Sequence, residues 1–505
     1  MAYVYESSTK LRPVADFNDD RWVALSTAEF KRTLIDHDIT ETSKSSDTTS
    51  VNEGEVSIYP EALRYHFKDA CSFDERVEET EFGFVEEVEE QIQPWDISQI
   101  DEHVEIRVTK DKGRCLYARK SFNPGDIIFA ENPILVVTPD IAQEMYDFLE
   151  ELNESETFSL PPLWHLAALC TLTMLDEETK QACLDKWVPD PYAEPSHDVI
   201  KVIENSGLDI DPYMYERTLG AWRYNSFNHT SNNGIVLYNR ISMMAHSCAA
   251  SCCWHYGIEN TFVLRAKTRL EIGDEITISY IADDDLFKCS KVRRNLLLNW
   301  LFYCQCSRCS DPVDLSRGLR CASCGVGTVF FKDNETGETL STSCNVCKTC
   351  PHQDIILSYT DLESQYILRL EETDKTDIED IENVYIEAQK VFTQHWIMYE
   401  LDTMLFEAYK DIQQYDNALP CLYNRLNYVR STFPDCTYTL AWITEELGDI
   451  LSIQYNENKL SHKSNHQLAA IQRNFYDTWC YLSILTGPNH HFTNAAKLKY
   501  EATCE

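Results

Sequence analysis

Clustered cysteines constrain this chain more than any other feature of its sequence. Twelve of its 20 cysteines fall between Cys248 and Cys350. The N-terminal segment lacks the basic stretch and apolar core of a secretory signal, so we expect an intracellular protein whose thiols stay reduced. Cysteines that cluster unevenly in a reducing compartment indicate bound metal rather than disulfides.

The first group is a short C-x-C-x-x-C motif that comprises Cys304, Cys306 and Cys309. Three thiols this close in sequence do not easily pair with one another, but they can converge on one tetrahedral zinc ion. A structural zinc site takes four ligands, and we assign the fourth position to Cys248, which lies upstream of the motif. The alternative is three ordinary buried or surface thiols.

The second group has the spacing C-x2-C-x19-C-x2-C, which comprises Cys321, Cys324, Cys344 and Cys347. This spacing is typical of a zinc ribbon, and the intervening residues predict a β-hairpin with its turn at 334–337. Cys350 and His352 follow closely and are alternative ligands. Four thiolates complete the shell of a zinc ion and leave no position for water, so we predict two structural sites.

The charge of the chain restricts its partners. It has 505 residues, with 44 basic and 83 acidic side chains and a net charge of -39. Nucleic-acid binding needs clustered lysine and arginine, so we predict no nucleic-acid partner. The acidic balance suits a basic partner or substrate, although it also serves solubility alone. No stretch approaches the length of an uninterrupted apolar membrane span, and we predict no membrane contact.

Hydrophobic periodicity changes several times along the chain. Residues 104–137 alternate β-branched and aromatic residues with polar ones and predict a meander of short strands. Residues 140–205 have helical spacing, and strand patterns return from 234 to 281. From 356 onward, apolar residues recur at spacings of three and four, which predicts five to seven antiparallel helices in an array of the tetratricopeptide type.

Several segments together resemble one family, the SET-domain protein lysine methyltransferases of the SMYD-like branch. The matching segments are "KGRCLYA" (112–118), "NSF" (225–227), "AHSC" (245–248), "GDEITISY" (273–280) and "CQCSRC" (304–309). The order of these motifs is specific, and the match covers about residues 104 to 505. The chain has no MYND finger inside the domain and carries an acidic N-terminal extension. In these two respects it is similar to the apical-complex lysine methyltransferases of apicomplexan parasites.

The resemblance implies a multidomain α+β protein. Its β-rich SET domain would contain a pseudoknot, and zinc-binding post-SET and zinc-ribbon modules would precede an all-α array. The implied parts are an acidic, partly disordered extension (1–100), a SET domain (101–303) with a helical insert (140–215), a zinc-binding segment (304–355) and a TPR-like helical domain (356–505).

The resemblance also assigns roles to individual residues. Tyr280 and Trp300 match catalytic positions, where the hydroxyl of Tyr280 would orient a lysine amine. The positions that would contact S-adenosyl-L-methionine are Lys112, Arg114, Asn225, Ser242, Ala245, His246, Tyr280 and Phe302. Cys248 matches the pseudoknot cysteine that completes the zinc shell of the post-SET motif. Cys252 and Cys253 have no family role, and we predict that they pack in the core.

The chain departs from the family pattern at three places. Ala245 stands where the pseudoknot has an asparagine whose side chain contacts the cofactor, a loss of about 1 kcal/mol for one hydrogen bond. Cys115 replaces the last glycine of the cofactor loop and adds a side chain there. Ala250 and Ser251 replace a proline and an asparagine. These departures put catalytic activity in question, but not the fold.

The function implied is S-adenosylmethionine-dependent methylation of a lysine on a basic protein, either a histone tail or a cytoskeletal segment. We therefore expect the cytoplasm, the cytoskeleton or the nucleus as its compartment, the apical complex if the narrower resemblance holds, and a homodimer as one state. An alternative is a weak or inactive SET-fold zinc scaffold that binds protein partners.

A third hypothesis is a cysteine hydrolase that uses Cys248 as nucleophile and His246 as base. We disfavour it because adjacent residues of a strand point to opposite faces.

Overall fold

The computed structural model describes residues 3–5, 11–13, 92–155, 157–230, 233–334, 336–457 and 465–504. Most of the predicted acidic extension (1–100), including all of residues 14–91, lies outside the described residues. The described chain divides into two compact units. The first contains the described residues up to 13, those from 92 to 132 and those from 243 onward, and the second contains those from 133 to 242.

The first unit begins with an antiparallel pair of short strands, β1 (Tyr3–Tyr5) and β2 (Leu11–Pro13), and then helix α1 (Ile97–His103). Two small sheets follow. One has the order β3-β4-β12-β9 and the other the order β10-β11-β5. Their strands are β3 (Val104–Thr109), β4 (Gly113–Ala118), β5 (Ile127–Glu131), β9 (Ala245–His246), β10 (Cys252–Tyr256), β11 (Phe262–Ala266) and β12 (Glu275–Ile278).

The pairing of these strands corrects the predicted meander. β3 and β4 form a hairpin, as consecutive strands of a meander would. β5, however, pairs with β11 from far along the chain, because β-branched residues mark a strand without marking its partner. Strand formation in this segment was therefore predicted correctly, and the connectivity was wrong beyond the first pair.

The second unit is mainly helical. Its helices are α2 (Gln143–Ser155), α3 (Pro162–Met174), α4 (Glu177–Leu184), α5 (His197–Ser206) and α6 (Pro212–Asn225). Its three short strands, in the order β6-β8-β7, are β6 (Leu135–Val137), β7 (Phe227–Asn228) and β8 (Ile235–Leu237). Trp222 and Tyr215 lie fully buried in the core between the helices, and the indole of Trp222 donates to Thr171 Oγ1 (2.8 Å).

In the first unit, the segment after β12 carries the predicted zinc motifs. Helix α7 (Ser290–Leu297) and the short helix α8 (Ser307–Ser310) precede strands β13 (Arg317–Arg320), β14 (Thr328–Asp333) and β15 (Thr339–Ser341). Strands β14 and β15 form the predicted hairpin, in which Gly337 N–H donates to the carbonyl of Asn334 (3.1 Å). A fourth strand, β16 (Phe392–His395), pairs with β13 and comes from the helical region.

Seven helices of the described chain follow the hairpin, within the range predicted from periodicity. They are α9 (Gln353–Glu372), α10 (Ile378–Ala388), α11 (Trp396–Asp411), α12 (Tyr415–Thr432), α13 (Tyr438–Glu457), α14 (Asn465–Leu485) and α15 (His491–Ala502). α13 and α14 approach closely at Gly448, where a Cβ would lie 2.4 Å from the ring of Phe475. Among all helices of the described residues, none combines the length and apolar content that a membrane span requires.

Candidate active site and cysteine clusters

The structure brings Cys248 together with the C-x-C-x-x-C motif. We call this group the first cluster: its four Sγ atoms, from Cys248, Cys304, Cys306 and Cys309, all lie within 4.8 Å of one another. Cys248 Sγ is 3.5 Å from Cys309 Sγ and 4.0 Å from Cys304 Sγ. Four sulfur atoms this close match the ligand set of a closed tetrahedral zinc site.

Helix α7 supplies two arginines to the first cluster. Arg293 is 1% exposed, and its Nη2 donates to Cys309 Sγ (3.6 Å). Arg294 donates from Nε to the carbonyl of Cys304 (3.1 Å) and from Nη2 to that of Cys309 (2.9 Å). A zinc ion with four thiolates carries net negative charge, and a buried guanidinium beside it offsets that charge. The pattern "VRRN" in a helix gave no local sign of this role.

The second group of cysteines also converges. This ribbon cluster comprises Cys321, Cys324, Cys344 and Cys347, again with all sulfur atoms within 4.8 Å. Backbone N–H groups of Gly327 and Val346 donate to Cys324 Sγ and Cys344 Sγ, both at 3.4 Å. A Cβ on Gly327 would lie 2.3 Å from Cys344 Sγ, so only glycine fits there. The alternative ligands Cys350 and His352 are not members of this four-sulfur group.

His246 lies between the first cluster and Tyr280. The residue is 7% exposed, and its Nδ1 accepts the backbone N–H of Tyr280 (3.0 Å). Its Nε2 lies 3.2 Å from Cys248 Sγ. Burial lowers the pKa of His246 to about 3, so the ring is neutral.

The contact between His246 and Cys248 corrects our reason for disfavouring a hydrolase. The two residues are not adjacent: His246 ends β9 and Cys248 lies in the turn that follows, where its Sγ comes within 3.2 Å of His246 Nε2. The pair therefore has the spacing of a nucleophile and a base. Cys248 is nevertheless fully buried among three other thiols, a setting that suits a metal ligand and not an exposed nucleophile.

Aromatic rings surround Tyr280. Its ring centroid is 5.5 Å from that of Trp300, 6.1 Å from that of Phe302 and 5.4 Å from that of His246. The hydroxyl of Tyr280 donates to the carbonyl of Met244. Burial raises the pKa of Tyr280, so its hydroxyl stays protonated and serves as a donor rather than a base.

Strand β12 positions Tyr280 between two other segments. β12 pairs antiparallel with β4 (Ile276 with Leu116) and parallel with β9 (Ile278 with His246). Because β4 and β12 run antiparallel, the chain beyond β12 heads towards the β3–β4 turn, where the motif "KGRC" begins. Within this turn a Cβ on Gly113 would meet no atom within 4 Å, so the turn faces open space.

The predicted cofactor residues of this turn have protein partners of their own. Lys112 Nζ lies 2.7 Å from Glu275 Oε2, and the pair raises the pKa of Lys112 against the opposing effect of burial. Arg114 is the second residue of β4, which begins at Gly113. Cys115 is fully buried, and burial raises the pKa of its thiol. The added side chain of Cys115 is therefore buried, and its sulfur lies 3.8 Å from Thr109 Oγ1 of the neighbouring strand β3.

Ala250 and Ser251, which depart from the family pattern after the pseudoknot, are held by burial and by hydrogen bonds to Thr277. Ser251 N–H donates to Thr277 Oγ1, and Thr277 N–H donates to Ser251 Oγ, both at 3.0 Å. Ala250 is 3% exposed. Cys252 and Cys253 are buried as predicted, and burial raises the pKa of Cys252 to about 12.

Two predicted cofactor residues lie in the second unit. The Asn225 amide donates to the carbonyls of Trp187 (2.8 Å) and Ala221 (2.7 Å). Ser242 Oγ donates to the carbonyl of Tyr238 (2.7 Å). Their side chains therefore bond within that unit.

Comparison with known proteins agrees with the sequence motifs. The family model described as "SET domain" matches residues 113–281. The histone-lysine N-methyltransferase ASHR1 of Arabidopsis thaliana is 35% identical over 282 residues, 42% of this chain and 58% of the relative. The human histone-lysine N-methyltransferase SMYD3 is 36% identical over 76 residues, 15% of this chain and 17% of the relative. This chain thus spans less than two thirds of the length of either relative.

Among solved structures, Rubisco LSMT bound to AdoMet covers 70% of this chain and 95% of its own at 15% identity. Its TM-score of 0.28 is too low to bear on the fold. The family match and the sequence relatives establish that the chain contains a SET domain. The resemblance to SET-domain lysine methyltransferases is thereby confirmed, and the narrower resemblance to apicomplexan enzymes stays a prediction.

Proposed function

We propose that this protein is an S-adenosylmethionine-dependent protein lysine N-methyltransferase. The observation that carries the proposal is the grouping of four rings beside the first cluster, those of His246, Tyr280, Trp300 and Phe302. His246 and Tyr280 belong to the segment that matches a SET domain, and Trp300 and Phe302 come from the segment that leads into the C-x-C-x-x-C motif. The names of the relatives support the same reaction class.

The residues present fit the cofactor. The open space over Gly113 leaves room beside the β3–β4 turn, and partly exposed aromatic faces of Trp300 and Phe302 offer stacking surfaces. Ala245 provides no side-chain donor, but its backbone remains available for a hydrogen bond. When bound, S-adenosylmethionine supplies a methyl group on a positively charged sulfur.

The chain's own residues would prepare the substrate. A lysine amine attacks only when neutral, yet its ordinary pKa is about 10.4. Burial among the rings of Tyr280, Trp300 and Phe302 removes water and favours the neutral amine. The carbonyl that accepts from Tyr280 holds the phenol ring in place, so the ring and hydroxyl can align the amine for in-line displacement.

The two cysteine clusters would each hold one structural zinc ion. Their four sulfur atoms supply the ligand chemistry that zinc prefers, and the donors from Arg293, Gly327 and Val346 fit a thiolate shell. Neither site leaves a position for water, so zinc would fix the fold of these segments and take no part in methyl transfer.

The substrate we propose is a basic protein segment, a histone tail or a lysine-rich cytoskeletal region. The net charge of -39 favours a positively charged partner. The helical array of α9 to α15 would serve as a partner surface. The proposed compartments are therefore the cytoplasm, the cytoskeleton or the nucleus.

The test is methyl transfer to a panel of recombinant histones and cytoskeletal proteins with labelled cofactor. Wild type should label at least one of them, and Tyr280→Phe should lower the rate by about 100-fold or more, because an oriented hydroxyl is lost. The matched control is Tyr359→Phe, which also removes a tyrosine bond to a carbonyl (Arg320, 3.0 Å) but lies in α9. No labelling of any substrate, or equal rates for all three proteins, would count against the proposal.

A second candidate function is a non-catalytic zinc scaffold. Ala245 favours it, because the asparagine that contacts the cofactor in the resembling family is absent. Such a scaffold would keep both metal sites and bind no S-adenosylmethionine.

A further inference from the structure

We infer that His246 is a positioning residue that couples the first cluster to Tyr280, one ring nitrogen facing each. The inference deepens the proposed function and rests on it for the role of Tyr280. The bond to the cluster can be tested whether or not the protein transfers methyl groups.

Hydrogen-bond geometry fixes the proton on the His246 ring. Nδ1 accepts the backbone N–H of Tyr280 (3.0 Å), so Nδ1 must present a lone pair. The ring proton then lies on Nε2, which is 3.2 Å from Cys248 Sγ. His246 therefore donates to the sulfur atom of a predicted zinc ligand and accepts from Tyr280, the residue that carries the proposed catalytic hydroxyl. We call these two hydrogen bonds together the His246 bridge.

Each end of this bridge has a structural consequence. A donor to a metal-bound thiolate orients the sulfur and strengthens the site, and loss of such outer contacts typically costs 10- to 100-fold in metal affinity. The bond that His246 Nδ1 accepts fixes the backbone at Tyr280, two residues after β12 ends at Ile278. The placement of the Tyr280 ring thus depends on a residue that the first cluster holds.

Packing alone does not explain these contacts. The His246 ring is 5.4 Å from the Tyr280 ring and 5.9 Å from the Phe302 ring, so an apolar side chain of similar size would also fill the space. Such a side chain would leave the partly buried N–H of Tyr280 without its acceptor and Cys248 without the donor at Nε2. Two matched substitutions separate packing from bonding.

His246→Asn and His246→Gln each keep one end of the bridge. The asparagine oxygen can occupy the place of Nδ1 and keep the bond from Tyr280, but the side chain is too short to reach Cys248. The glutamine amide can reach the place of Nε2 and donate to Cys248, but it offers no acceptor at the position of Nδ1.

Two measurements on the full chain report separately on the bond from His246 to Cys248 and on the bond from Tyr280 to His246. The first is the rate at which a chromogenic chelator removes zinc from the purified protein. The ribbon cluster is an internal control, because neither His246 nor Cys248 belongs to it, and its zinc should leave at the wild-type rate. The second is hydrogen exchange of the peptide that contains the amide of Tyr280.

We expect one of the two zinc ions to leave at least 10-fold faster from His246→Asn, with protection at Tyr280 kept. His246→Gln should hold both zinc ions within about 3-fold of wild type and lose protection at Tyr280. The control is His255→Gln in β10, whose ring bonds to Tyr256 and Arg265 instead; it should match wild type in both measurements.

Equal behaviour of the two His246 variants, whether both resemble wild type or both lose zinc and protection together, would overturn the inference. A protein that shows the split but transfers no methyl group would leave the bridge standing and refute the proposed function instead.

Discussion

Cys248 has two sets of neighbours that assign it different chemistry. His246 Nε2 is 3.2 Å away, which suits a nucleophile and its base, whereas Cys304 and Cys309 offer sulfur atoms at 4.0 and 3.5 Å, which suits a metal ligand. The second set explains both contacts, since a zinc-bound thiolate also accepts a hydrogen bond. A hydrolase would leave the other thiols unexplained.

Alkylation distinguishes the two roles considered for Cys248, a zinc ligand and a catalytic nucleophile. We expect iodoacetamide to leave Cys248 unmodified until a zinc chelator is added, because a metal-bound, buried thiolate is protected. Peptide mass spectrometry before and after chelation measures this. The exposed Cys504 is the control and should react at once in both cases. Rapid modification of Cys248 without chelator would contradict the metal assignment.

At the scale of single residues, the cysteine pattern predicted the members of the two clusters, and the family resemblance named His246, Trp300 and Phe302, whose rings lie near Tyr280. Neither predicted the reciprocal bonds between Ser251 and Thr277, which support the segment where the family pattern is broken. Both also missed Arg293. These contacts join residues that are not neighbours in the sequence. Serine, threonine and arginine form hydrogen bonds with many kinds of partner, so no sequence pattern identifies the partner in advance.

Among the elements, β16 is one that the sequence did not reveal. Its four residues lie between two helices, and they become a strand only because β13 provides a partner. A buried ion group ties these elements to α9: Arg317 Nη2 lies 2.6 Å from Glu363 Oε2, and His395 Nε2 lies 3.2 Å from Glu363 Oε1. Burial raises the pKa of Glu363, but the facing Arg317 outweighs it and holds the pKa low.

Removal of one partner from this ion group tests how β13 is held to α9. Glu363→Ala should lower the free energy of unfolding by about 3–5 kcal/mol, because Arg317 is 1% exposed and would lose the more buried of its two carboxylate partners, keeping only Asp333. The double variant Arg317→Met/Glu363→Leu should cost less than the single one. Urea titration at fixed zinc concentration measures both. A double variant less stable than Glu363→Ala would contradict this account.

Across the whole molecule, helical periodicity was the most reliable guide. The seven helices α9–α15 fall within the predicted number of five to seven, because the apolar stripe that each helix buries is visible in its own sequence. Strand pairing and the division into two units depend on contacts across hundreds of residues, so the sequence alone did not predict them. The predicted domain boundaries and the homodimer stay predictions.

The stability of the protein should depend on pH through buried histidines. His165 is fully buried, its Nδ1 lies 3.0 Å from Tyr215 Oη, and burial lowers its pKa to about 4. Between pH 6.5 and pH 4 the unfolded chain binds a proton at this site and the folded chain does not. Wild type should therefore lose stability relative to His165→Asn as pH falls through that window.

The slope should approach 1.4 kcal/mol per pH unit, measured as the difference between the two urea titrations. Asp402 provides a contrast of opposite sign, because burial raises its pKa to about 7. Wild type should lose stability relative to Asp402→Asn as pH rises from about 4 to 7. A pH-independent difference for His165→Asn would show that this histidine is not buried in its neutral form.

Calorimetric titration of the full chain with S-adenosylmethionine shows whether the protein binds a methyl donor, and it needs no knowledge of the substrate protein. We expect a heat of binding with one cofactor per chain, although Ala245 offers no side-chain donor. The absence of any heat of binding, in protein that retains two zinc ions, would contradict the proposed function and favour the scaffold.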